Sequence, residues 1–199
     1  MKHLIPKIIY TIWLNDDKEI PEKIKKCIGT RELEGYEHRL ITLDNCYHNK
    51  YVDECLSRGD VKGWVKASDY LRAYYVYHNG GIYLDADTEV LKPFDPLLDN
   101  RMFLCHEDNR FLPNGMFGAE KGHQSLKRFL EIVDTLDGTN DLVFENGMQQ
   151  WTPIMYKARR EGEATIYPPE YFIPYNWQTG ETNITENTYT YHHYDKSWT

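Results

Sequence analysis

The chain of 199 residues sets 23 Lys and Arg against 31 Asp and Glu, a formal net charge of −8. That balance argues against a general nucleic-acid or anionic-membrane binder, and it leaves any phosphate-bearing substrate dependent on a cation from elsewhere. The length suffices for one domain, residues 1–199, that buries roughly two thirds of its unfolded surface without disulfides or structural metal. Cys27, Cys46, Cys55 and Cys105 form no Cys-x-x-Cys pair and are read as reduced and structural. No window approaches 18 apolar residues, and the start of the chain runs directly into a strand. The expectation is a cytoplasmic, bacterial-type protein without a transmembrane segment, peripheral membrane contact staying open, in which the sequon Asn183-Ile184-Thr185 goes unused.

In chain order, Lys7 to Trp13 is β-branched and aromatic and reads as a first, central strand. Ligands of open α/β sheets bind beyond the carboxyl ends of strands, so Trp13 either stacks on a base there or belongs to the core. Asp16 to Ile20 is loop-like, Pro21 to Thr30 starts a helix on its proline, His38 to Leu43 reads as a second strand, and Asn45 to Leu56 as a short irregular helix. This alternation is the nucleotide-binding half of an α/β fold. Neither Gly-x-Gly-x-x-Gly nor a P-loop is present, so a diphosphate here is not held by a glycine-rich cradle.

Val61 to Asn79 has helical apolar spacing, with Asp69 and Arg72 on one face as either a local ion pair or a site. Asn79, Gly80 and Gly81 end the helix and reverse the chain into a short strand, Ile82-Tyr83-Leu84, which delivers Asp85 and Asp87. Two carboxylates at i and i+2 repel unless they share a cation, and hard oxygen ligands suit Mg²⁺ or Mn²⁺, ions that grip a diphosphate. An ordinary acidic turn is the alternative.

Thr88 to Leu91 continues as a strand until Pro93 and Pro96 break it, and Arg101 to Cys105 is another. Glu107 to Asn114 is irregular, and Gly115 to Ala119 leads into a helix opening near His123. Glu145 to Arg160 reads as one helix despite Pro153, Ala164 to Tyr167 as a short strand, and Pro168 to Pro174 as extended chain. The ending, from Tyr189, alternates as a strand and presents His192 and His193, of which at most one faces a given site.

Ser68-Asp69-x-Leu71-Arg72, seven residues, then Gly80-Gly81-Ile82-Tyr83-Leu84-Asp85-x-Asp87 resembles the glycosyltransferases with the DXD sugar-binding region. These are glycosyltransferase family 32, its Och-type mannosyltransferase relatives and the glucosylating domains of large clostridial toxins. The resemblance implies an α/β fold of GT-A type, a Rossmann-like mixed central sheet flanked by helices. It implies a UDP- or GDP-linked sugar donor, a saccharide acceptor, Mn²⁺ or Mg²⁺ as cofactor, and retaining transfer in surface or capsular polysaccharide synthesis. Family members begin Pro-Lys-x-Ile-x-x-x-Trp, as Pro6 to Trp13 do, and use that tryptophan region for the base. Ser68 and Tyr83 then join the donor site, Asp69 and Arg72 orient donor hydroxyls, and Asp87 binds metal directly with Asp85 sharing it. Asn114 either contacts the donor sugar or is a turn residue before Gly115. The ending His192-His193-x-x-x-Ser197-Trp198 implies a lid over the donor, with Ser197 and Trp198 at the diphosphate and His193, ahead of His192, as a metal ligand. Relatives often carry Thr-Gly-Pro where this chain has Asn146-Gly147-Met148, a departure that leaves that segment without an assigned role.

Two other readings fit less well. A haloacid dehalogenase-type phosphatase begins Asp-x-Asp-x-Thr or Val, but Glu89 stands fifth here. A non-catalytic calcium or sugar-binding module of EF-hand type needs glycine at the sixth loop position, which is Val90.

Overall fold

The computed structural model describes residues 3–15, 19–107, 111–176 and 179–195. Its chain order is β1 (Ile8–Ile12), α1 (Glu22–Gly29), β2 (Glu37–Ile41), α2 (Lys50–Ser57), α3 (Val61–Asn79), β3 (Gly81–Leu84), β4 (Thr88–Val90), β5 (Met102–Cys105) and β6 (Met116–Ala119). There follow α4 (Gln124–Val133), α5 (Val143–Asn146), α6 (Met148–Arg160), β7 (Thr165–Tyr167), β8 (Tyr175–Asn176), β9 (Glu181–Thr182) and β10 (Thr190–His192). Six strands make a mixed sheet in the order β2-β1-β3-β6-β5-β7. Strand β1 runs parallel to β2 and β3, whereas β6 lies antiparallel between β3 and β5.

Both faces of this sheet are covered, which is why β1 and β3 read as apolar runs, broken only by Thr11. Side chains nevertheless alternate: Tyr10, Ile12 and Tyr83 pack into the cluster under α3, α4 and α6, while Ile9, Ile82 and Leu84 join Phe94, Phe103 and Phe172 on the other side. Fully burying each such aliphatic side chain is worth about 1.5–3 kcal/mol, and this double burial fixes the register that aims the residues beyond β3.

Helix α3 has the bounds its periodicity predicts. The Asp60 side chain accepts from the Gly63 amide at its start, and at its end Gly80 adopts φ 72°. Gly81, at φ 122°, brings β3 against β1 so closely that a Cβ would strike the Ile8 carbonyl.

Two expectations need correction. Gly115 to Ala119 is not merely an approach to a helix but holds β6, a central strand. Gly118, which weakens the strand signal, is required there because the Phe103 ring fills the space of a Cβ. The single helix over Glu145 to Arg160 is two, α5 and α6, divided at Gly147.

Candidate active site

A cleft of ≈ 530 Å³ opens at the carboxyl ends of β1 and β3. The end of β1 contributes Trp13, the cleft-facing side of α3 contributes Val61, Trp64, Val65, Ser68, Asp69 and Arg72, and the β3–β4 turn contributes Asp85 and Asp87. Asn114 closes the floor, and Val143, Phe144 and Met148 form the opposite lip. Trp13, Ser68, Asp69, Arg72, Tyr83, Asp85, Asp87 and Asn114, named from sequence, are thus brought to one cavity. The buried indole N–H of Trp13 has no hydrogen-bond partner among the described residues.

Arg72 is the hub. Its Nη1 donates to Asn114 Oδ1 at 3.0 Å, its Nη2 to Ser68 Oγ at 3.1 Å and its Nε to the Ser68 carbonyl at 3.2 Å. The same guanidinium lies 3.2 Å from Asp69 Oδ1, 3.4 Å from Asp85 Oδ1 and over the Tyr83 ring. Asn114 Nδ2 donates to Asp69 Oδ1 at 2.9 Å, closing a triangle. Burial opposes the Arg72 charge, but Tyr83, Asp85 and Asp69 outweigh it and push its pKa up. Burial likewise pushes the Asp69 carboxyl up, with Arg72 and Asn114 pulling it back. Asp69 and Arg72 thus form the local ion pair and also line the cleft. Tyr83 is 1% exposed and its hydroxyl donates to Asp85 Oδ1 at 2.8 Å, so it sets a site carboxylate.

Two glycines clear room for these acids. A Cβ on Gly115 would strike Asp85 Oδ2, and one on Gly147 would strike Asp69 Oδ2. Gly147 thereby gains the role that its sequence left unassigned. Gly147→Ala is expected to displace Asp69 and destabilise the fold by about 1–3 kcal/mol. A melting temperature at the wild-type value would show that the helix junction yields instead.

The carboxylates of Asp85 and Asp87 face His192, and one ligand atom from each lies within 4.8 Å of the others. His192 Nε2 is 3.1 Å from Asp87 Oδ1 and 4.0 Å from Asp85 Oδ2. Nevertheless Asp87 Oδ1 and His192 Nε2 are both buried with no properly directed hydrogen bond among the described residues. Two orphaned lone-pair atoms turned to a common point fit a shared ion, since cis ligands of an octahedral cation at about 2.1 Å stand about 3 Å apart. Burial would raise the Asp87 carboxyl, but His192 beside it and the Asp195 amide at 2.9 Å hold it below the usual range. Burial would lower His192, and Asp87 followed by Asp85 push it up instead.

The expectation that His193 leads as metal ligand is corrected. Strand β10 pairs antiparallel with β4, setting His192 opposite Thr88 with its ring toward the two aspartates. His193 turns the other way and sits 3.0 Å from Glu89 Oε2. The hydroxyl of neighbouring Tyr194 donates to Glu107 Oε1, and Lys23 pairs with Asp195 at 3.0 Å. Protein contacts therefore hold the segment up to Asp195, and a nucleotide-ordered lid remains an expectation for the last residues alone. Ser197 and Trp198 lie outside the described residues.

Sequence reasoning missed Arg31. It is 0% exposed, it lies beneath the β3–β4 turn, and it donates to the Asp85 carbonyl at 2.5 Å and the Thr88 carbonyl at 3.1 Å. Burial lowers its pKa to about 10, so it stays cationic at neutral pH.

Residues 13–104 match the family described as a glycosyltransferase sugar-binding region containing DXD motif. The chain is similar to inositol phosphoceramide mannosyltransferase 3 of Schizosaccharomyces pombe, 32% identical over 139 residues, 66% of this chain and 37% of that protein. It is also similar to mannosyl phosphorylinositol ceramide synthase SUR1 of Saccharomyces cerevisiae, 25% identical over 188 residues, 85% of this chain and 48% of the relative. The chain thus spans less than half the length of either. Among solved structures, the PaToxG glycosyltransferase superposes with a TM-score of 0.59 at 19% identity, covering 77% of this chain and 68% of its own. A glycosyltransferase involved in the glycosylation of the major capsid of PBCV-1 gives 0.56 at 13%, covering 93% and 92%. At such identities the likeness is one of fold, the GT-A arrangement of a mixed sheet flanked by helices.

Proposed function

We propose, from the match of residues 13–104 to the glycosyltransferase sugar-binding region containing DXD motif, that the chain is a glycosyltransferase that moves a sugar from a nucleoside diphosphate sugar to a saccharide acceptor, with a divalent cation held by Asp85, Asp87 and His192. The observation that carries this reading is the convergence of those three side chains, two with orphaned ligand atoms, at the edge of a cleft that also holds Trp13 and the Asp69–Arg72–Asn114 triangle.

A cation there, Mn²⁺ or Mg²⁺, would neutralise the charge that grows on the departing diphosphate. The chain's own residues supply the rest. Trp13 and Trp64 offer aromatic faces to a base, and Trp13 has an indole N–H free to donate. Asp69 and Asn114 present an acceptor and a donor to sugar hydroxyls, fixed in direction because Arg72 grips both. A base, a diphosphate and a hexose laid in that order run from the end of β1, across the β3–β4 turn, to the floor at Asn114. Retention of anomeric configuration, a UDP or GDP carrier and a role in surface polysaccharide synthesis complete the reading. The names of the fungal relatives make mannose the first donor sugar and an inositol-phosphate-bearing lipid the first amphiphilic acceptor to try. Four buried, unpaired cysteines support a reducing compartment such as the cytoplasm, which fractionation tests.

Hydrolysis of a panel of UDP- and GDP-linked sugars with Mn²⁺ tests the activity, and thermal melts test the two ligands separately. Turnover of at least one donor, with Mn²⁺ and a nucleoside diphosphate each raising the melting temperature, is the expected result. No turnover and no shift with any pair overturns the reading. Within it, His192→Ala is expected to weaken Mn²⁺ binding at least tenfold while His193→Ala changes it less than twofold, measured by titration calorimetry. The reverse ranking would mean that β10 pairs in another register.

A further inference from the structure

Arg31 is a buried cation that forms no ion pair among the described residues. It leaves the end of α1, its amide donating to the Ile28 carbonyl, and passes behind the sheet. Nη1 donates to Thr11 Oγ1 at 2.6 Å, and Nη2 reaches the carbonyls of Asp85 and Thr88. Those carbonyls bound the four-residue turn that the Thr88 amide closes on the Asp85 carbonyl at 3.0 Å. One nitrogen thus spans the turn that carries both acids.

The support continues away from the site. Thr11 Oγ1 lies 2.9 Å from His38 Nε2 on β2. Burial and then the Arg31 charge hold His38 down at about 4, so at neutral pH the ring is uncharged and adds no second cation beside Arg31. A chain from β2 through β1 to Arg31 therefore ends on the β3–β4 turn.

We propose that Arg31 is the positioning residue of the Asp85–Asp87 turn, clamping both of its end carbonyls and adding, from beneath the turn, a second buried positive charge to that of Arg72 before a cation binds. The guanidinium suits this because its fork holds several acceptors in one plane, whereas an ammonium presents a single point charge. The inference rests on the metal reading above only for what the turn is positioned to hold. The clamp itself concerns the backbone.

Arg31→Lys is the principal test, with two readouts. In metal-free protein the Thr88 amide is expected to exchange hydrogen at least tenfold faster than in wild type, while the amides of α3 are unchanged. Mn²⁺ affinity, read from the paramagnetic resonance of the free ion, is expected to fall about tenfold, with kcat at saturating Mn²⁺ within about threefold of wild type. Wild-type exchange at Thr88 together with wild-type Mn²⁺ affinity overturns the proposal. Thr11→Val, which removes only the hydroxyl beside Nη1, is the second variant. Faster Thr88 exchange in it supports the clamp, whereas unchanged exchange there beside an Arg31→Lys protein that does not fold makes Arg31 a residue of the fold alone and overturns it. If wild type binds no Mn²⁺ the metal reading fails, and Thr88 exchange still decides the clamp.

Discussion

Asp87→Asn is expected to lower kcat/KM by about 10³-fold, about 4 kcal/mol of transition-state stabilisation, in a protein that still folds. The substitution keeps the shape and an oxygen for the Asp195 amide, but it removes the charge that faces His192 and the departing diphosphate. The structure buries this carboxylate to 2% exposure, so its loss also touches stability. Its ionised form is favoured in the folded state, so at neutral pH it contributes stability that is lost as pH falls through the depressed folded value. The asparagine variant should therefore melt somewhat lower than wild type at neutral pH, and the difference should shrink in acid. Full turnover in the variant with Mn²⁺ bound would remove Asp87 from the chemistry and leave the acid as a fixture of β10.

Legibility in the sequence followed the range of the interactions involved. Helix α3 and strand β3 declare themselves because their periodicity, the Asp60 cap and the Gly80-Gly81 reversal act within a few residues of one another. The Asp69, Arg72, Asp85 and Asp87 set reads for the same reason, since one helix, one turn and one strand present it. Strand β6 hides because Gly115 and Gly118 look like loop residues. Only the distant Asp85 and Phe103 side chains reveal that a Cβ is forbidden there. His192 and His193 differ by one step of strand parity, which the pairing of β10 with β4 decides and local chemistry does not. Arg31 is the least legible. Its partners lie 20 to 57 residues away, and an arginine after a helix ordinarily points to solvent.

Arg72→Lys is the substitution that separates a structural ion pair from a working one. All three guanidinium nitrogens of Arg72 have protein oxygens within 3.4 Å, on Ser68, Asp69, Asn114 and Asp85. On the proposed reading a donor sugar would meet Arg72 chiefly through Asp69 and Asn114, which the guanidinium contacts, while its contact with Asp85 ties that triangle to the aspartate pair. Lysine keeps the charge but can reach only part of this set, leaving buried acceptors short of donors at about 1–3 kcal/mol for each one unmet. The expected result is a loss of about 10²-fold in kcat/KM that appears in both kcat and KM, because misaligned hydroxyls weaken donor binding and move the anomeric carbon off line. A melting temperature lowered by several degrees should accompany it. Lost stability with kcat/KM intact would reduce Arg72 to the partner of Asp69, and the donor sugar would then have to be read by Asn114 and the α5–α6 lip of the cleft.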